Sequence, residues 1–161
     1  MKKLIIIAAI GKNGELGKNN DLIWHLKKDL KYFKEVTLNH HVLMGKNTFL
    51  SLPKMLDNRV HLVLNDDDYK FPDGVVVLKS IDEFFSIAKE IDDDIYVIGG
   101  ASIYKQFINY ADELLLTLID EKDKNADVYF PIVDEKIWKK YVIKTDEENN
   151  IKFDFVKYER R

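Results

Sequence analysis

Residues 94–104, with the sequence DIYVIGGASIY, join an apolar strand to a helix through a pair of glycines. The strand pattern covers residues 95–98, and a helical pattern over 102–109 follows Gly99 and Gly100 almost at once. A helix that starts directly after a strand offers free N–H groups to a phosphate, and glycines let a ligand approach the backbone closely. A simple tight turn is the alternative, because the three spaced glycines of the full dinucleotide fingerprint are absent.

Apolar segments of strand length recur on both sides of this junction, at residues 4–10, 41–44, 60–64, 75–78 and 114–119. Helical patterns at 24–38, 47–52 and 81–91 fall between them, the last with Ser80 as its cap. Continuous Val, Ile and Leu strands separated by helices predict a parallel sheet covered on both faces. Residues 138–144 and 151–158 predict a closing antiparallel hairpin.

The composition limits the classes of protein to which the chain can belong. Its 161 residues fit one domain, 1–161, with a buried core. A formal charge of −3 and scattered basic groups predict no nucleic-acid partner and no membrane association. The absence of cysteine excludes disulfides and thiolate chemistry, and it suits a reducing cytoplasm, where we expect the protein. We expect residues 1–10 not to be a signal peptide.

Asp29 is an acid in an unusual position. In the helix that residues 23–38 imply, it lies on the apolar half between Phe33 and Val36, while lysines and Glu35 occupy the opposite half. An unpaired buried carboxylate is costly, whereas a polar ligand in a cleft satisfies it. The alternative is a place in an early turn of the helix, bonded to backbone or to a hydroxyl.

The segment before this helix has the pattern of a lid. Gly11, Gly14 and Gly17 follow the first strand at intervals of three, and Leu, Ile and Trp occupy residues 22–24. A buried strand, a flexible loop and an aromatic residue beside an acid-bearing helix predict a ligand pocket with a movable lid over residues 14–24.

A second strand-to-helix junction occurs at residues 44–48, with the sequence MGKNT. It supplies a glycine, a cation and two side-chain donors where a strand ends and a helix begins. Two such junctions on one edge of a sheet can bind a ligand that carries more than one phosphate.

Other catalytic schemes have little support. The histidines lack metal-ligand spacing, and no serine lies in a nucleophile elbow. We interpret the acidic segments 66–68, 92–94 and 120–123 as solvated turns, since none has the spacing of a calcium loop. Arg59 is expected to be exposed at the start of a strand, where its guanidinium can pair with a ligand carboxylate.

Taken together, these segments resemble dihydrofolate reductase of the bacterial, single-domain type, nearly end to end. The residues that carry the resemblance are Ile7, Ala8 and Ala9; Leu22, Ile23, Trp24, Leu26, Asp29, Leu30 and Phe33; Met44, Gly45, Lys46, Asn47 and Thr48; Ile98, Gly99, Gly100 and Tyr104; Leu116, Thr117, Leu118 and Ile119; and Phe130 with Pro131. The resemblance implies an α/β fold with an open, eight-stranded, mainly parallel central sheet. It also implies an antiparallel C-terminal strand, helices on both faces and a cis peptide between Gly99 and Gly100.

The resemblance implies reduction of 7,8-dihydrofolate to 5,6,7,8-tetrahydrofolate by hydride transfer from NADPH, which supplies one-carbon metabolism and thymidylate synthesis. It assigns catalytic roles to Asp29, Leu22, Trp24 and Thr117. By this resemblance Asp29 would accept hydrogen bonds from the amino group and a ring nitrogen of the pterin, and Thr117 would orient Asp29. We expect water admitted past Leu22 to protonate N5. Antifolate-type inhibitors are expected to bind, and a monomer is expected.

The resemblance also implies two sets of binding residues. Those for the substrate are Ile7, Ala9, Asp29, Leu30, Phe33, Leu52, Leu56, Arg59, Ile98, Tyr104 and Thr117, with Arg59 on the glutamate carboxylate. Those for the cofactor are Ala9, Ile10, Gly17, Leu22, Gly45, Lys46, Asn47, Thr48, Leu64, Asn65, Lys79, Ile98, Gly99, Gly100, Ala101, Ser102, Ile103 and Tyr104.

Several positions depart from the family pattern. Ile23 stands where a proline usually precedes the tryptophan, and residues 55–57 replace a proline-rich turn. Lys46 and Ser102 stand where arginines often help to hold the cofactor. With the acids at 66–68 nearby, we predict a 2′-phosphate site that is poor in positive charge and a less secure preference for NADPH over NADH.

Two alternative functions are weighed against this one. A related pterin or riboflavin-pathway reductase shares the Gly-Gly turn, but the segment from Trp24 to Phe33 with its acid disfavours the riboflavin branch. A nucleotide-binding module without catalysis needs Lys46, Thr48 and Gly100 but has no use for Asp29 or Thr117.

Overall fold

The computed structural model describes residues 1–19 and 21–161. Its strands are β1 Leu4–Ile10, β2 Glu15–Lys18, β3 Asp21–Leu22, β4 His41–Gly45, β5 Val60–Leu64, β6 Val76–Leu78, β7 Ile95–Gly99, β8 Glu113–Ile119, β9 Val128–Tyr129, β10 Trp138–Glu148 and β11 Ile151–Arg160. Its helices are α1 Lys27–Thr37, α2 Lys46–Ser51, α3 Ile81–Ala88 and α4 Ala101–Phe107. Within the described residues, no helix is both long and apolar enough to cross a membrane.

The central sheet has eight strands in the order β10-β11-β8-β1-β7-β4-β5-β6. From β8 to β6 every neighbouring pair is parallel, while β11 pairs antiparallel with both β8 and β10. Among these strands β11 therefore runs against the rest, which confirms the predicted open, mainly parallel sheet with an antiparallel C-terminal strand. The strand β1 is buried almost throughout, as its unbroken apolar sequence predicts.

Helices cover both faces of this sheet, as predicted. On one face, Phe33 of α1 and Phe49 of α2 pack with Ile5 and Ile7 of β1. On the other face, Phe84 of α3 and Phe107 of α4 pack with alternate residues of β1, including Leu4, Ile6 and Ala8. Both cores therefore meet at β1, and the carboxyl ends of the parallel strands lie along one edge of the sheet.

The helix that carries Asp29 begins at Lys27, three residues later than predicted. Leu26 precedes it in an extended conformation and provides no side-chain cap. Instead, the Glu148 carboxylate at the end of β10 accepts hydrogen bonds from the N–H groups of Lys27 and Lys28, at 2.8 and 2.9 Å. The helix therefore begins where a distant carboxylate can cap it, and Trp24 lies outside it.

The boundaries of the other helices differ from the predicted ones by at most three residues. α2 and α4 each begin one residue before the predicted start. Ser80 caps α3 as predicted by accepting from the Glu83 N–H at 3.1 Å. That helix ends at Ala88 rather than 91, since the N–H groups of Glu90 and Ile91 bond to carbonyls three residues back.

The predicted flexible lid contains regular structure that the sequence did not indicate. β2 pairs antiparallel with β3 and with β9 to form a separate three-stranded sheet. The prediction of a flexible loop over 14–24 therefore missed the two strands β2 and β3. Asn20, which falls in that segment, lies outside the described residues.

The C-terminal hairpin is longer than predicted. β10 and β11 pair along most of their length, from Trp138 with Arg160 to Glu148 with Ile151. Asn149 and Asn150 form the turn, with φ of 52° and 64°. Two positive φ values match a type I′ turn, which asparagine tolerates. Because the turn has only two residues, the polar residues 146–148 belong to β10.

Candidate active site

Asp29 and Thr117 form the centre of the site. Thr117 lies on β8 directly beside Ala9 of β1, and its side chain is 2% exposed. Its hydroxyl donates to Asp29 Oδ1 at 2.6 Å. Within residues 1–19 and 21–161, the other oxygen, Oδ2, accepts no hydrogen bond. The half-buried carboxylate therefore has one oxygen held by the protein and one available to a ligand.

The surroundings disfavour the charge on Asp29. Burial raises the pKa of the Asp29 carboxyl, the hydrogen bond from Thr117 lowers it, and the negative charge of Glu148 raises it, with a net upward shift. Burial, and then the charge of Asp29, raise the pKa of the Tyr32 and Tyr104 hydroxyls. The negative charge of Asp29 therefore acts on both tyrosines, and the site favours a ligand that is cationic or rich in hydrogen-bond donors.

Apolar side chains surround this carboxylate. Ile7, Phe33, Leu52 and Ile98 belong to one cluster on this face of the sheet. Ala9 and Trp24 pack against a second cluster formed by Leu26, Ile119, Phe153 and Phe155. Leu30, one residue after Asp29, is 49% exposed, and Leu22 on β3 is 45% exposed. These exposed leucines, one next to the half-buried acid in sequence and one on β3, offer apolar surface to a flat ring system.

Arg59 lies at the far end of this apolar surface and is less exposed than predicted. Its Nε donates to the Thr37 hydroxyl at 3.2 Å, and its two terminal nitrogens donate to the carbonyls of Asp57 and Lys34, at 2.8 and 3.3 Å. The C-terminal end of α1 and the 52–59 segment therefore hold the guanidinium in place.

His61 supports the same segment and was not singled out by the sequence. It is 1% exposed, and its Nε2 accepts from the Leu56 N–H at 3.0 Å. Its Nδ1 is buried without a hydrogen-bond partner in the described part of the chain. Burial lowers the pKa of the His61 imidazole, partly opposed by the nearby backbone carbonyl of Arg59. The neutral ring therefore fixes the wall that contains Leu56.

The two strand-to-helix junctions are neighbours, as predicted, since β4 and β7 pair with Met44 opposite Gly99. The Gly99–Gly100 peptide is cis, as the resemblance implies. A Cβ on either glycine would lie 3.4 Å from the Thr48 hydroxyl oxygen, and one on Gly45 would lie 3.1 Å from the Ile103 side chain. The Tyr104 hydroxyl donates to the Ile7 carbonyl at 2.8 Å and so joins α4 to β1.

Both strand-to-helix junctions have features that the phosphates of a dinucleotide require. Gly45 precedes α2 and Gly100 precedes α4, and neither helix has a side-chain cap on its first N–H groups. The glycines leave space that a Cβ would fill, and uncapped N–H groups suit phosphate oxygens. The residues present therefore fit NADPH.

The lysines assigned to the cofactor are paired within the chain. Lys46 Nζ lies 2.8 Å from Asp67 Oδ2, and Lys79 Nζ donates to the Asp67 carbonyl at 2.7 Å. Asn65 Nδ2 donates to Asp67 Oδ1 at 2.7 Å. The interpretation of 66–68 as a solvated turn was therefore incomplete, because Asp67 accepts hydrogen bonds from three of the predicted cofactor residues.

Asp93, in another segment predicted as a solvated turn, is also engaged. Its carboxylate contacts Nδ1 of His40 at 2.6 Å and of His41 at 2.8 Å, and it accepts from the His41 N–H. These side chains lie at the amino ends of β4 and β7, opposite the candidate site. No local pattern indicates this cluster, since the partners are about fifty residues apart in the sequence.

The lid is attached to the rest of the protein by acids that the sequence did not single out. Asp127 accepts from the Asn19 N–H at 2.9 Å and donates its own N–H to the Gly17 carbonyl at 3.1 Å. Buried Glu15 accepts from the N–H groups of Asn13 and Asp123, each at 2.7 Å. A Cβ on Gly11 would lie 2.6 Å from Trp24, so this glycine makes room for the indole.

Some predicted cofactor residues are not joined to these clusters by a contact. Ile10 lies on the opposite face of β1 from Ala9, in the core that includes Leu116 and Phe130. The Ser102 hydroxyl accepts from Gln106 one turn later in α4, and Asn47 is exposed. The roles assigned to these residues therefore depend on the resemblance alone.

Comparison with known proteins agrees with this architecture. The family model described as "Dihydrofolate reductase" matches residues 3–160. Dihydrofolate reductase of Bacillus subtilis is 35% identical over 96% of this chain and 93% of its own length. Dihydrofolate reductase HdrB of Haloferax volcanii is 32% identical over 99% of this chain and 84% of its own length.

A solved structure shows the same fold. It is dihydrofolate reductase from Enterococcus faecalis complexed with NADP(H) and RAB-propyl, and it has a TM-score of 0.89 and 32% identity. The similarity covers 99% of this chain and 96% of that one. The chain therefore belongs to the dihydrofolate reductase family and is an NADPH-dependent enzyme that reduces dihydrofolate to tetrahydrofolate.

Proposed function

We propose that Asp29 binds the pterin ring of dihydrofolate and that Thr117 orients Asp29 for this purpose. The observation that carries the proposal is the 2.6 Å bond from the Thr117 hydroxyl to Oδ1. It leaves Oδ2 available, and a carboxylate held in this way can accept coplanar hydrogen bonds from an amino group and a ring N–H. Ile7, Ala9 and Ile98 line this end of the cleft in the proposal.

Asp29 acts on the substrate's proton through its charge. When bound, NADPH supplies the hydride that reduces C6 of the pterin. A negative charge in a partly buried site raises the proton affinity of a ring bound against it, so Asp29 favours the substrate form protonated at N5. Water that passes Leu22 delivers this proton, and Asp29 need not touch N5.

The tail of the substrate extends toward Arg59. The three hydrogen bonds of Arg59 to Thr37, Asp57 and Lys34 use three of the five guanidinium N–H groups. The remaining two suit the glutamate carboxylate, and their orientation is already fixed. The aminobenzoyl ring contacts the apolar wall formed by Leu30, Phe33, Leu52 and Leu56.

The cofactor occupies the edge where β4 and β7 end. Backbone N–H groups after Gly45 and Gly100, together with the Thr48 hydroxyl, bind its phosphates. Ala9, Leu22 and Tyr104 would flank the nicotinamide of the bound cofactor. Asn47, Leu64, Asn65, Lys79, Ala101, Ser102 and Ile103 complete the binding surface in this proposal, with Ile10, Gly17, Ile98 and Gly99.

Closure of the lid excludes bulk water from the reacting rings. Trp24 and Leu22 lie on the segment that moves, and the bonds of Asp127 to Asn19 and Gly17 hold the lid in the arrangement described here. Pairing between β2 and β3 joins Gly17 to Leu22, so these two parts of the lid move together.

We also propose that the enzyme is a cytoplasmic monomer and that antifolate-type inhibitors bind at Asp29. Support for these points comes from the family resemblance and, for inhibitors, from the acceptor geometry of Asp29. Gel filtration at several concentrations tests the monomer, and a peak at twice the mass of 18.9 kDa contradicts it. Competition between such an inhibitor and dihydrofolate tests the second point.

The assignment of the tail to Arg59 is tested with two substrates, dihydrofolate and a dihydropterin that lacks the aminobenzoylglutamate tail. Loss of NADPH absorbance is followed for wild type and for Arg59→Gln. We expect Arg59→Gln to raise KM for dihydrofolate about tenfold or more, since charged hydrogen bonds contribute roughly 1.5–3 kcal/mol, and to leave the tailless substrate unchanged. Equal effects on both substrates contradict the assignment, and NADPH binding without consumption contradicts the proposed arrangement of the site.

A further inference from the structure

Asp67 lies beside the carboxyl end of β5, among residues assigned to the cofactor. Its Oδ2 is 2.8 Å from Lys46 Nζ. Its Oδ1 accepts from Asn65 Nδ2 at 2.7 Å and from the Tyr69 N–H at 2.8 Å. Three donors on two side-chain oxygens fix the position and orientation of this carboxylate, although it lies at the surface.

Two lysines that are assigned to the cofactor are bound by Asp67. Lys46 is held between the Asp67 carboxylate and the Tyr69 ring, 4.9 Å from the ring centroid. Lys79 donates to the Asp67 carbonyl at 2.7 Å. Hydrogen bonds from Lys46 and Asn65, and from the Tyr69 backbone, lower the pKa of the Asp67 carboxyl well below its ordinary value. The Asp67 carboxylate is therefore negatively charged at neutral pH.

The charge of Asp67 matters because NADPH and NADH differ at the adenine ribose. NADPH carries a phosphate on the 2′ position, and sites that prefer it present cations there. NADH carries a hydroxyl, and sites that prefer it present a carboxylate that accepts from that hydroxyl. In this chain Lys46, a lysine assigned to the cofactor, is paired with the carboxylate of Asp67.

We propose that Asp67 is a specificity-determining residue that lowers the discrimination of this enzyme for NADPH over NADH. It neutralises Lys46 and presents a negative charge where the 2′ substituent binds. This inference rests on the proposed function, which assigns Asn65 and Lys79 to the cofactor, and on the resemblance, by which Lys46 stands at the 2′-phosphate site. NADPH remains the cofactor, but its advantage over NADH is smaller than an unpaired Lys46 would give.

Asp67→Asn tests the proposal, because asparagine keeps an acceptor for Asn65 and Tyr69 but loses both the charge and the oxygen that accepts from Lys46. The dissociation constants of NADPH and NADH are measured by nucleotide fluorescence, without substrate. We expect the ratio of the NADH constant to the NADPH constant to rise roughly five- to tenfold, as removal of a unit charge a few ångströms from a phosphate predicts in a largely aqueous setting. NADPH binding should also become more dependent on salt, while NADH binding should not.

Asp68→Asn is the matched control. It removes the same charge from the next residue, and in the described part of the chain Asp68 has no hydrogen bond or ion pair. We expect it to change the ratio less than twofold. A change below twofold for Asp67→Asn, or an equal change for both variants, overturns the inference. Failure of wild type to bind either nucleotide would instead overturn the proposed function.

Discussion

Replacement of Asp29 by asparagine separates the charge of this residue from its shape. The Thr117 hydroxyl donates to Oδ1 at 2.6 Å, and the asparagine carbonyl can accept the same bond. The amide NH₂ group then takes the place of Oδ2. An amino group and a ring N–H of the substrate would face a donor where wild type offers an acceptor.

The size of the effect follows from the bonds that are lost. Two hydrogen bonds to a charged acceptor contribute about 1.5–3 kcal/mol each. Their loss amounts to about 3–6 kcal/mol, and with about 1.4 kcal/mol for each factor of ten, kcat/KM should fall roughly 10²- to 10⁴-fold at neutral pH. This range agrees with the usual contribution of proton-transfer groups. In acid the loss should shrink, because substrate that is already protonated in solution no longer needs the charge of Asp29.

The same substitution should stabilise the fold. The net pKa of Asp29 is raised from 3.8, chiefly by burial, so between the unfolded and folded pKa values the folded state binds more protons. Stability contributed by this group is full below the unfolded pKa and falls as the pH rises through the folded pKa. Asparagine has no charge to bury, so the variant should melt at a higher temperature than wild type at pH 7, and the difference should disappear at low pH.

The assays are NADPH consumption between pH 5 and 8 and thermal unfolding over a wider range. Glu35→Gln is the matched control, since Glu35 is an exposed acid on the same helix whose ion pair with Lys31 spans 3.9 Å. We expect it to change neither activity nor melting temperature appreciably. Unchanged turnover of Asp29→Asn at pH 7 would refute the role of Asp29, and a lower melting temperature would refute the account of its burial.

Three further substitutions test the supporting contacts. Thr117→Val removes the donor to Asp29, so kcat/KM should fall roughly ten- to a hundredfold, and the acidic limb of its pH profile should move to higher pH; an unmoved limb contradicts the coupling. Gly99→Ala places a Cβ 3.4 Å from two hydroxyl oxygens at φ 128°, so NADPH should bind more weakly and the fold should lose about 1–3 kcal/mol, checked by titration and melting. His61→Phe leaves the Leu56 N–H without its acceptor, so KM for dihydrofolate should rise with little change in kcat; the reverse split contradicts a positioning role.

Much of the fold was predictable because its strands are buried on both faces. β1 and β5 have the predicted boundaries, since an unbroken apolar run in a parallel sheet ends where burial ends. Asp29 was predictable because helical periodicity puts it on an apolar half where a carboxylate is unexpected. The two glycine junctions were predictable because glycine is required where a ligand and a backbone come close.

Several of the features that were missed depend on contacts between residues far apart in the sequence. The start of α1 is set by Glu148, about 120 residues away, and no local pattern reports that cap. β2 was missed because its pairing partner β9 lies more than one hundred residues later. Asp67 was taken for part of a solvated turn because a run of three aspartates has the composition of one, and only the fold brings Lys46 to it.

Glu148 connects these long-range contacts to the chemistry of the site. Its carboxylate caps α1, and the backbone N–H groups of Lys28 and Lys27 lower its own pKa. Its charge also raises the pKa of Asp29, which makes the ionised Asp29 harder to maintain. Stabilisation of the helix and activity of the acid that it carries are therefore in opposition. The Thr117 hydroxyl acts against the effect of Glu148, because its bond to Oδ1 stabilises the charged form of Asp29. Thr117 on β8 thus favours the charged form of Asp29, whereas Glu148, which caps α1, disfavours it. The protonation of Asp29 depends on both contacts.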